Sequence, residues 1–346
     1  MKITRRSLAV LPFVGAALLR GQSAPPTQRG VVIGPAFVPN DIFTLAGWGV
    51  NLIRFQMIWQ GNENNQDLTA YRAWWNQRLA FLDTLLPSLE ANKIKVIIDM
   101  HTGPGGQAAG AGHVLFFNRT LHEGFQSIWE DTAHRYRNRP GVYAFDLLNE
   151  PSFNEKRTPP MLSSWETLAE RTIERIRKQD DDRIVSFQPK GIDLTAFKGL
   201  TRLGPRKVLY SLHMYEPLNF THQGIDGRPA HVQYPGTIDG RYFDKAELRR
   251  RLLPARDFQL ANNVGIYVGE FSANLQGANV VPTGSAATYL NDCISLFEEW
   301  GWRWTYHAFQ DNPYYWNLDR RDDASRNLIL NYFRRNSPAA LTYPAP

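Results

Sequence analysis

The sequence predicts an α/β fold, a single-domain (β/α)8 TIM barrel. Eight apolar, β-branched runs recur along the chain, and segments with 3.6-residue periodicity lie between them. No linker or charge block interrupts this series beyond about residue 30. Near-continuous apolar strands alternating with helices indicate a parallel sheet covered on both faces. Eight such units in 346 residues fit a closed barrel better than an open doubly wound sheet. An open nucleotide-binding sheet also shows a glycine fingerprint after its first strand. The run Gly30-Val-Val-Ile-Gly-Pro supplies none.

The expected strands are Gly30–Phe37, Val50–Phe55, Ile94–Met100, Val142–Leu148, Arg183–Phe187, Val208–Tyr215, Val264–Phe271 and Trp302–Phe309. Leu121, Phe125, Ile128, Trp129, Thr132 and Tyr136 share one helical face, and Trp165, Leu168, Ala169, Thr172, Ile173 and Ile176 share another. The pair Ser163 and Glu166 reads as a capping box for the second, and Asp244 with Glu247 repeats the signal before Leu248, Leu252 and Leu253. The longest strand-to-helix connection, residues 216–244, is rich in Gly, Pro and Tyr and is expected to form a cleft wall.

Residues 1–24 read as an export signal, leaving 25–346 as the folded domain. Arg5 and Arg6 precede the apolar run Leu8 to Leu19, and small and polar residues follow. That run is too short to span a membrane. The arginine pair resembles a twin-arginine signal; an ordinary secretory signal is the alternative, and both imply a secreted or periplasmic protein. The net charge of +6 would suggest a polyanionic partner, but Lys2, Arg5, Arg6 and Arg20 all fall in this segment, which has no acid. The remainder carries only +2 with mixed signs, which argues against nucleic acid. Cys293 is the single cysteine, so the domain holds no internal disulfide, and its apolar helical setting marks it as a core residue.

A barrel gathers its chemistry at the C-terminal strand ends. There the sequence places Arg54, Asp99-Met-His101-Thr-Gly-Pro-Gly-Gly, Asn149-Glu150-Pro151, His213-Met-Tyr215, Gly269-Glu270-Phe271 and Tyr306-His307. Any one could be an ordinary boundary residue. Six polar strand ends behind apolar runs make a site.

In these residues the chain resembles glycoside hydrolase family five, the cellulase-type retaining barrel enzymes, over roughly residues 30–335. The matching pieces are Arg54, His101 in its glycine-rich loop, the Asn149-Glu150-Pro151 triplet, His213-x-Tyr215 and Gly269-Glu270-Phe271, in the family's order. The resemblance implies that Glu150 is the acid/base and Glu270 the nucleophile, with Arg54, His101, Asn149, His213 and Tyr215 around them. The chemistry agrees. A glycosidic bond needs a proton on its leaving oxygen and a partner for an oxocarbenium-like centre, and two carboxyl groups about 5–5.5 Å apart supply both with retention. Arg54 and Tyr215 are expected to keep Glu270 ionised, His213 to steer the proton on Glu150, and Asn149 to donate to the sugar 2-hydroxyl.

Other chemistries lack their residues. The eight histidines show no metal-ligand spacing, so neither metal nor cofactor is expected. Gly103-Pro-Gly-Gly lacks the Lys-Ser/Thr of a phosphate loop, and no Gly-x-Ser-x-Gly elbow occurs. The sequons at Asn118 and Asn219 matter only in a eukaryotic secretory pathway, against which the signal argues.

Ten Trp, 14 Tyr and 19 Phe suit a glycan cleft, because sugar C–H faces stack on aromatic rings. Trp59, Trp74, Trp75, Tyr234, Tyr314, Tyr315 and Trp316 flank strand ends, with Trp59 and Trp316 the favoured sugar contacts and one of Trp74 and Trp75 expected in the core. Where relatives usually carry a tryptophan at the end of strand eight, this chain has His307, expected to contact the sugar. The expected substrate is a β-linked glucan, first an internal β-1,4-glucan, with β-mannan or β-1,3-glucan and single-sugar release as alternatives. A monomer is expected. A secreted binding barrel without catalysis is the rival class, and retention of both Glu150 and Glu270 argues against it.

Overall fold

The computed structural model describes residues 28–59, 67–274, 284–310, 315–320 and 324–336. The expected export segment and Tyr314 lie outside them. Eight parallel strands close into one barrel: β1 (Arg29–Ile33), β2 (Leu52–Gln56), β3 (Lys95–Asp99), β4 (Val142–Asp146), β5 (Ile184–Phe187), β6 (Val208–Met214), β7 (Gly265–Phe271) and β8 (Arg303–Tyr306). Each pairs with the next along the chain, and β8 returns to β1. All eight lie within or beside the expected runs. β1 is shorter than expected because Gly34 and Pro35 follow it, and proline has no N–H to offer a neighbouring strand.

Closure depends on a close approach at β1. Gly30 is in register with Leu52 on one side and Thr305 on the other. A Cβ there would sit 1.8 Å from the Leu52 carbonyl oxygen, so only glycine fits.

Alternation along the strands then positions charge. Leu52, Ile97, Ala144, Leu209 and Tyr267 form an apolar cluster distinct from the larger core that includes the helix faces. Side chains two residues on share the same face. That rule places Arg54 above Leu52, Asp99 above Ile97 and Asp146 above Ala144, in the layer next to the C-terminal mouth. All three are buried, and Asp99 and Asp146 are register partners on adjacent strands.

β7 breaks the alternation. Val268 pairs with Leu212 but Glu270 pairs with His213, so Gly269 is the extra residue of a bulge. Strict alternation from Tyr267 would turn Glu270 outward. The bulge turns it into the mouth.

The helices cover the barrel as their apolar faces require. Both faces read from the sequence are buried, in Arg119–Tyr136 and Trp165–Gln179. Asp244 caps its helix as expected, accepting from Glu247 N at 2.9 Å. The other cap falls one residue later than expected: Ser164 Oγ accepts from Thr167 N at 3.2 Å, while Ser163 Oγ donates to the Ser164 carbonyl. Trp165 fixes this start, being fully buried with its indole N–H on the Gln188 carbonyl at 2.7 Å. Cys293 is buried and burial pushes its thiol up, in keeping with a core role. Trp75 is the core member of its pair. No helix of the described residues is long and apolar enough to cross a membrane.

Candidate active site

The floor of the mouth is one guanidinium held by acids from three strands. Arg54 is fully buried on β2. Its Nε donates to Asp146 Oδ2 at 2.8 Å, its Nη1 to Glu270 Oε1 at 2.5 Å and its Nη2 to Asn149 Oδ1 at 3.0 Å, with Asp99 Oδ1 2.9 Å from Nη2. Burial works against the guanidinium charge, but Asp99, Asp146 and Glu270 overcome it and hold its pKa well above the ordinary arginine value. Three buried acids share one cation, so not all are fully compensated. Burial pushes Asp146 up, more than Arg54 brings it down, and Asp99 adds to the rise.

Glu270 sits on that floor. Its side chain is 6% exposed; Oε1 meets Arg54, and Oε2 accepts from the Tyr215 hydroxyl at 2.9 Å. Burial disfavours its charge, but His213, His307, Arg54 and His101 outweigh burial and hold the carboxyl well below the usual range. Tyr215 stays a phenol, since burial and the neighbouring Glu270 raise its pKa.

Glu150 has a different setting. It follows β4 with a left-handed φ of 43°, a conformation costing about 1–3 kcal/mol in a non-glycine residue and concentrated at functional sites. Its backbone N–H donates to Gln188 Oε1 at 2.9 Å. The side chain is one-third exposed, and Oε1 lies 2.7 Å from His213 Nδ1. Glu150, Glu270 and His213 bring one side-chain atom each within 4.8 Å of one another. One carboxyl is buried, paired with a cation and ionised. The other is open to solvent and bonded to an imidazole.

His101 lines the same mouth, its Nδ1 2.9 Å from Asp99 Oδ2. Burial opposes its charge, but Asp99 and Glu270 more than offset this, so its pKa is raised. Asn149 gives its amide oxygen to Arg54, which leaves the NH2 end for another partner. His307 Nδ1 lies 2.9 Å from the Tyr215 hydroxyl. Trp316 packs beside them, 6.0 Å between ring centres from both Tyr215 and His307 and 4.8 Å from His222, and is 8% exposed. Trp59 is not part of this cluster. It packs edge-on against Tyr71 and Trp74 and lines a cavity of about 510 Å³ with Ile58, Arg78 and Phe81. Tyr234 is a core residue, buried against Phe220 and Tyr289.

The profile of the family Cellulase (glycosyl hydrolase family 5) matches residues 33–313. The chain belongs to that family. It is a glycoside hydrolase. Among relatives, Endoglucanase C of Acetivibrio thermocellus is 26% identical over 327 residues, 86% of this chain and 91% of the relative. Cellodextrinase A of Ruminococcus flavefaciens is 28% identical over 198 residues, 55% of this chain and 54% of the relative. Among solved structures, Thermotoga maritima Cel5A in complex with mannotriose superposes with a TM-score of 0.68 at 18% identity, covering 89% of this chain and 97% of that one. At that identity the likeness speaks for the barrel alone.

Asp99 and Gly269 stand in the strand-end motifs without an expected role, and Asp146 and Gln188 carry no expectation from the sequence. Asp99 and Asp146 hold Arg54, Gln188 anchors the Glu150 backbone, and Gly269 makes the bulge that aims Glu270. An acid inside the apolar run Val142–Leu148 was the visible signal for Asp146. The triad Glu150, His213 and Glu270 is also the one group among the described residues that could hold a metal ion. Arg54 already sets a positive charge 2.5 Å from Glu270, which opposes a divalent cation in that place.

Proposed function

We propose that this chain is a retaining endo-β-1,4-glucanase in which Glu270 is the nucleophile and Glu150 the acid/base. One observation carries the mechanism: carboxylate oxygens of the two residues lie within 4.8 Å of each other in opposite environments. Retaining glycosidases place these groups about 5–5.5 Å apart, too close for a water to lie between the sugar and the second carboxylate.

In the first step an ionised Glu270 oxygen bonds to the anomeric carbon as the glycosidic bond breaks. Glu150 gives its proton to the departing oxygen, leaving a glycosyl ester and a free chain end. In the second step Glu150, now a carboxylate, takes a proton from water. The water oxygen bonds to the anomeric carbon, and the electron pair of the ester bond returns to Glu270. Arg54 and Tyr215 favour the carboxylate at the start and end of this cycle. His213 Nδ1 holds Glu150 Oε1, which leaves Oε2 to carry the proton to and from the departing oxygen and the water. The NH2 end of Asn149 meets the sugar 2-hydroxyl, and His101 and Trp316 bound the sugar site.

The substrate reading rests on relatives named as endoglucanases and a cellodextrinase. β-Mannan is the second reading, favoured by similarity to a probable mannan endo-1,4-beta-mannosidase of Aspergillus niger. Residues 1–24 are proposed to direct export before 25–346 act outside the cytoplasm as a monomer. Reducing-end release from a panel of soluble β-glycans, with product lengths recorded, tests the activity. Mixed short oligosaccharides from β-1,4-glucan are expected. Release of single sugars alone, preference for mannan, or no release would each overturn the endoglucanase assignment.

A further inference from the structure

We propose that His307 is a positioning residue for Glu270, acting through the Tyr215 hydroxyl rather than by contact with the sugar. The proposal deepens the reading of Glu270 as nucleophile and rests on it. His307 Nδ1 and Glu270 Oε2 each lie 2.9 Å from the Tyr215 hydroxyl oxygen. A phenol has one proton to donate, and an ionised carboxylate can only accept. Tyr215 therefore donates to Glu270, and the other contact needs its hydrogen on His307 Nδ1. The order is Nδ1–H to hydroxyl oxygen, then O–H to carboxylate. Two donors in series polarise one another in a dry site. The direct path from His307 Nδ1 to Glu270 Oε2 is 3.9 Å, too long for a hydrogen bond, so the hydroxyl is the link.

Burial supports the same role. His307 is only 9% exposed and packs against Trp316, which leaves little open ring face for a sugar. Other ionisable groups approach from every side. Around Glu270 stand Arg54 from β2, His101 beyond β3, Glu150 beyond β4 and His213 on β6. His307 also faces His222, whose pKa is pushed down to about 4 by burial and nearby cations, so it is neutral over the pH range of interest. Arg54 and Tyr215, the groups bonded to Glu270, are themselves unchanged by substitution of His307.

The test compares His307→Phe with His307→Asn. Phenylalanine keeps a flat ring and deletes the donor; asparagine keeps an N–H at the position of Nδ1 and cannot titrate. kcat/KM is followed against pH on a dinitrophenyl β-glycoside, together with the rate at which a 2-fluoro glycosyl donor labels Glu270. Loss of the donor weakens the carboxylate form, so in His307→Phe the acid limb should move to higher pH. kcat/KM should fall about tenfold, the scale of one hydrogen bond to a charged group, with KM nearly unchanged. His307→Asn should restore kcat/KM and reverse part of the acid-limb shift, because asparagine returns the N–H donor but not the imidazole charge that also lowers the Glu270 pKa. In a Tyr215→Phe background, where the hydroxyl link is gone, His307→Phe and His307→Asn should share one acid limb. An unmoved acid limb with a raised KM in His307→Phe, or no rescue by asparagine, would overturn the proposal. Label on another carboxylate in the wild type would overturn the nucleophile reading instead, a separate result.

Discussion

Glu150 and Glu270 reach within 4.8 Å of each other from the far-separated strands β4 and β7, and share His213 as a neighbour, 2.7 Å from the first and 3.8 Å from the second. Their difference comes from what surrounds each. Glu270 is tied to Arg54 and Tyr215 in a buried pocket, whereas Glu150 opens to solvent on a left-handed turn. One carboxyl is fixed in its ionised form, and the other is free to cycle.

Glu150→Gln separates leaving groups. On polysaccharide kcat/KM should fall by about 10²–10⁴-fold, the usual contribution of a positioned acid. On a dinitrophenyl glycoside, whose leaving group needs no proton, kcat/KM should stay near wild type. Equal losses on both substrates would remove Glu150 from the acid role.

Gly269→Ala tests the bulge. A Cβ there would meet His213 Nε2 at 3.0 Å and Ser211 Oγ at 3.1 Å, so the imidazole must shift. That shift moves both Glu150, through its 2.7 Å bond, and the strand end carrying Glu270. Misplacement on this scale costs up to about 10²-fold in rate. We expect kcat to fall 10–100-fold, again on the order of that principle, while circular dichroism stays native. Wild-type kinetics would show that the site does not depend on this glycine.

Arg54→Met leaves Asp99 and Asp146 buried without their cation. Removing one partner of a buried ion network costs about 3–5 kcal/mol. In the variant the folded Asp146 pKa, already raised by burial, rises further above its unfolded value. Such groups are tolerated below the unfolded pKa, and stability is lost as pH rises through the folded pKa. Urea denaturation should therefore show a deficit at pH 7 that shrinks as pH is lowered toward the carboxylate range. A deficit independent of pH would mean that the acids are compensated some other way.

Much of this was legible in the sequence, for physical reasons. Strands buried on both faces carry mostly apolar residues, so Ile94–Met100 and Val264–Phe271 show as largely apolar runs, and polar residues stand out toward their C-terminal ends. The counter-charges were harder to see. Asp146 sits within a run, and its need for Arg54 follows only once β2 and β4 are known to face one interior. The inward turn of Glu270 depends on Gly269 adding a residue relative to β6, a register fact that a single strand does not contain. The bond of His307 to Tyr215 is likewise invisible in the chain, since it joins the ends of β8 and β6, which lie either side of β7. The surroundings of Trp59 are equally invisible in the chain: its aromatic neighbours Tyr71 and Trp74 come from the long helix Leu68–Ala91.

The most direct test of the mechanism is covalent trapping. A 2-fluoro glycosyl donor with a good leaving group slows the second step, so the ester should accumulate and peptide mapping should find the sugar on Glu270. Proton NMR of the first product formed from a β-glycoside should show the β-anomer. Label on any other carboxylate, or an α-anomer as first product, would contradict the account.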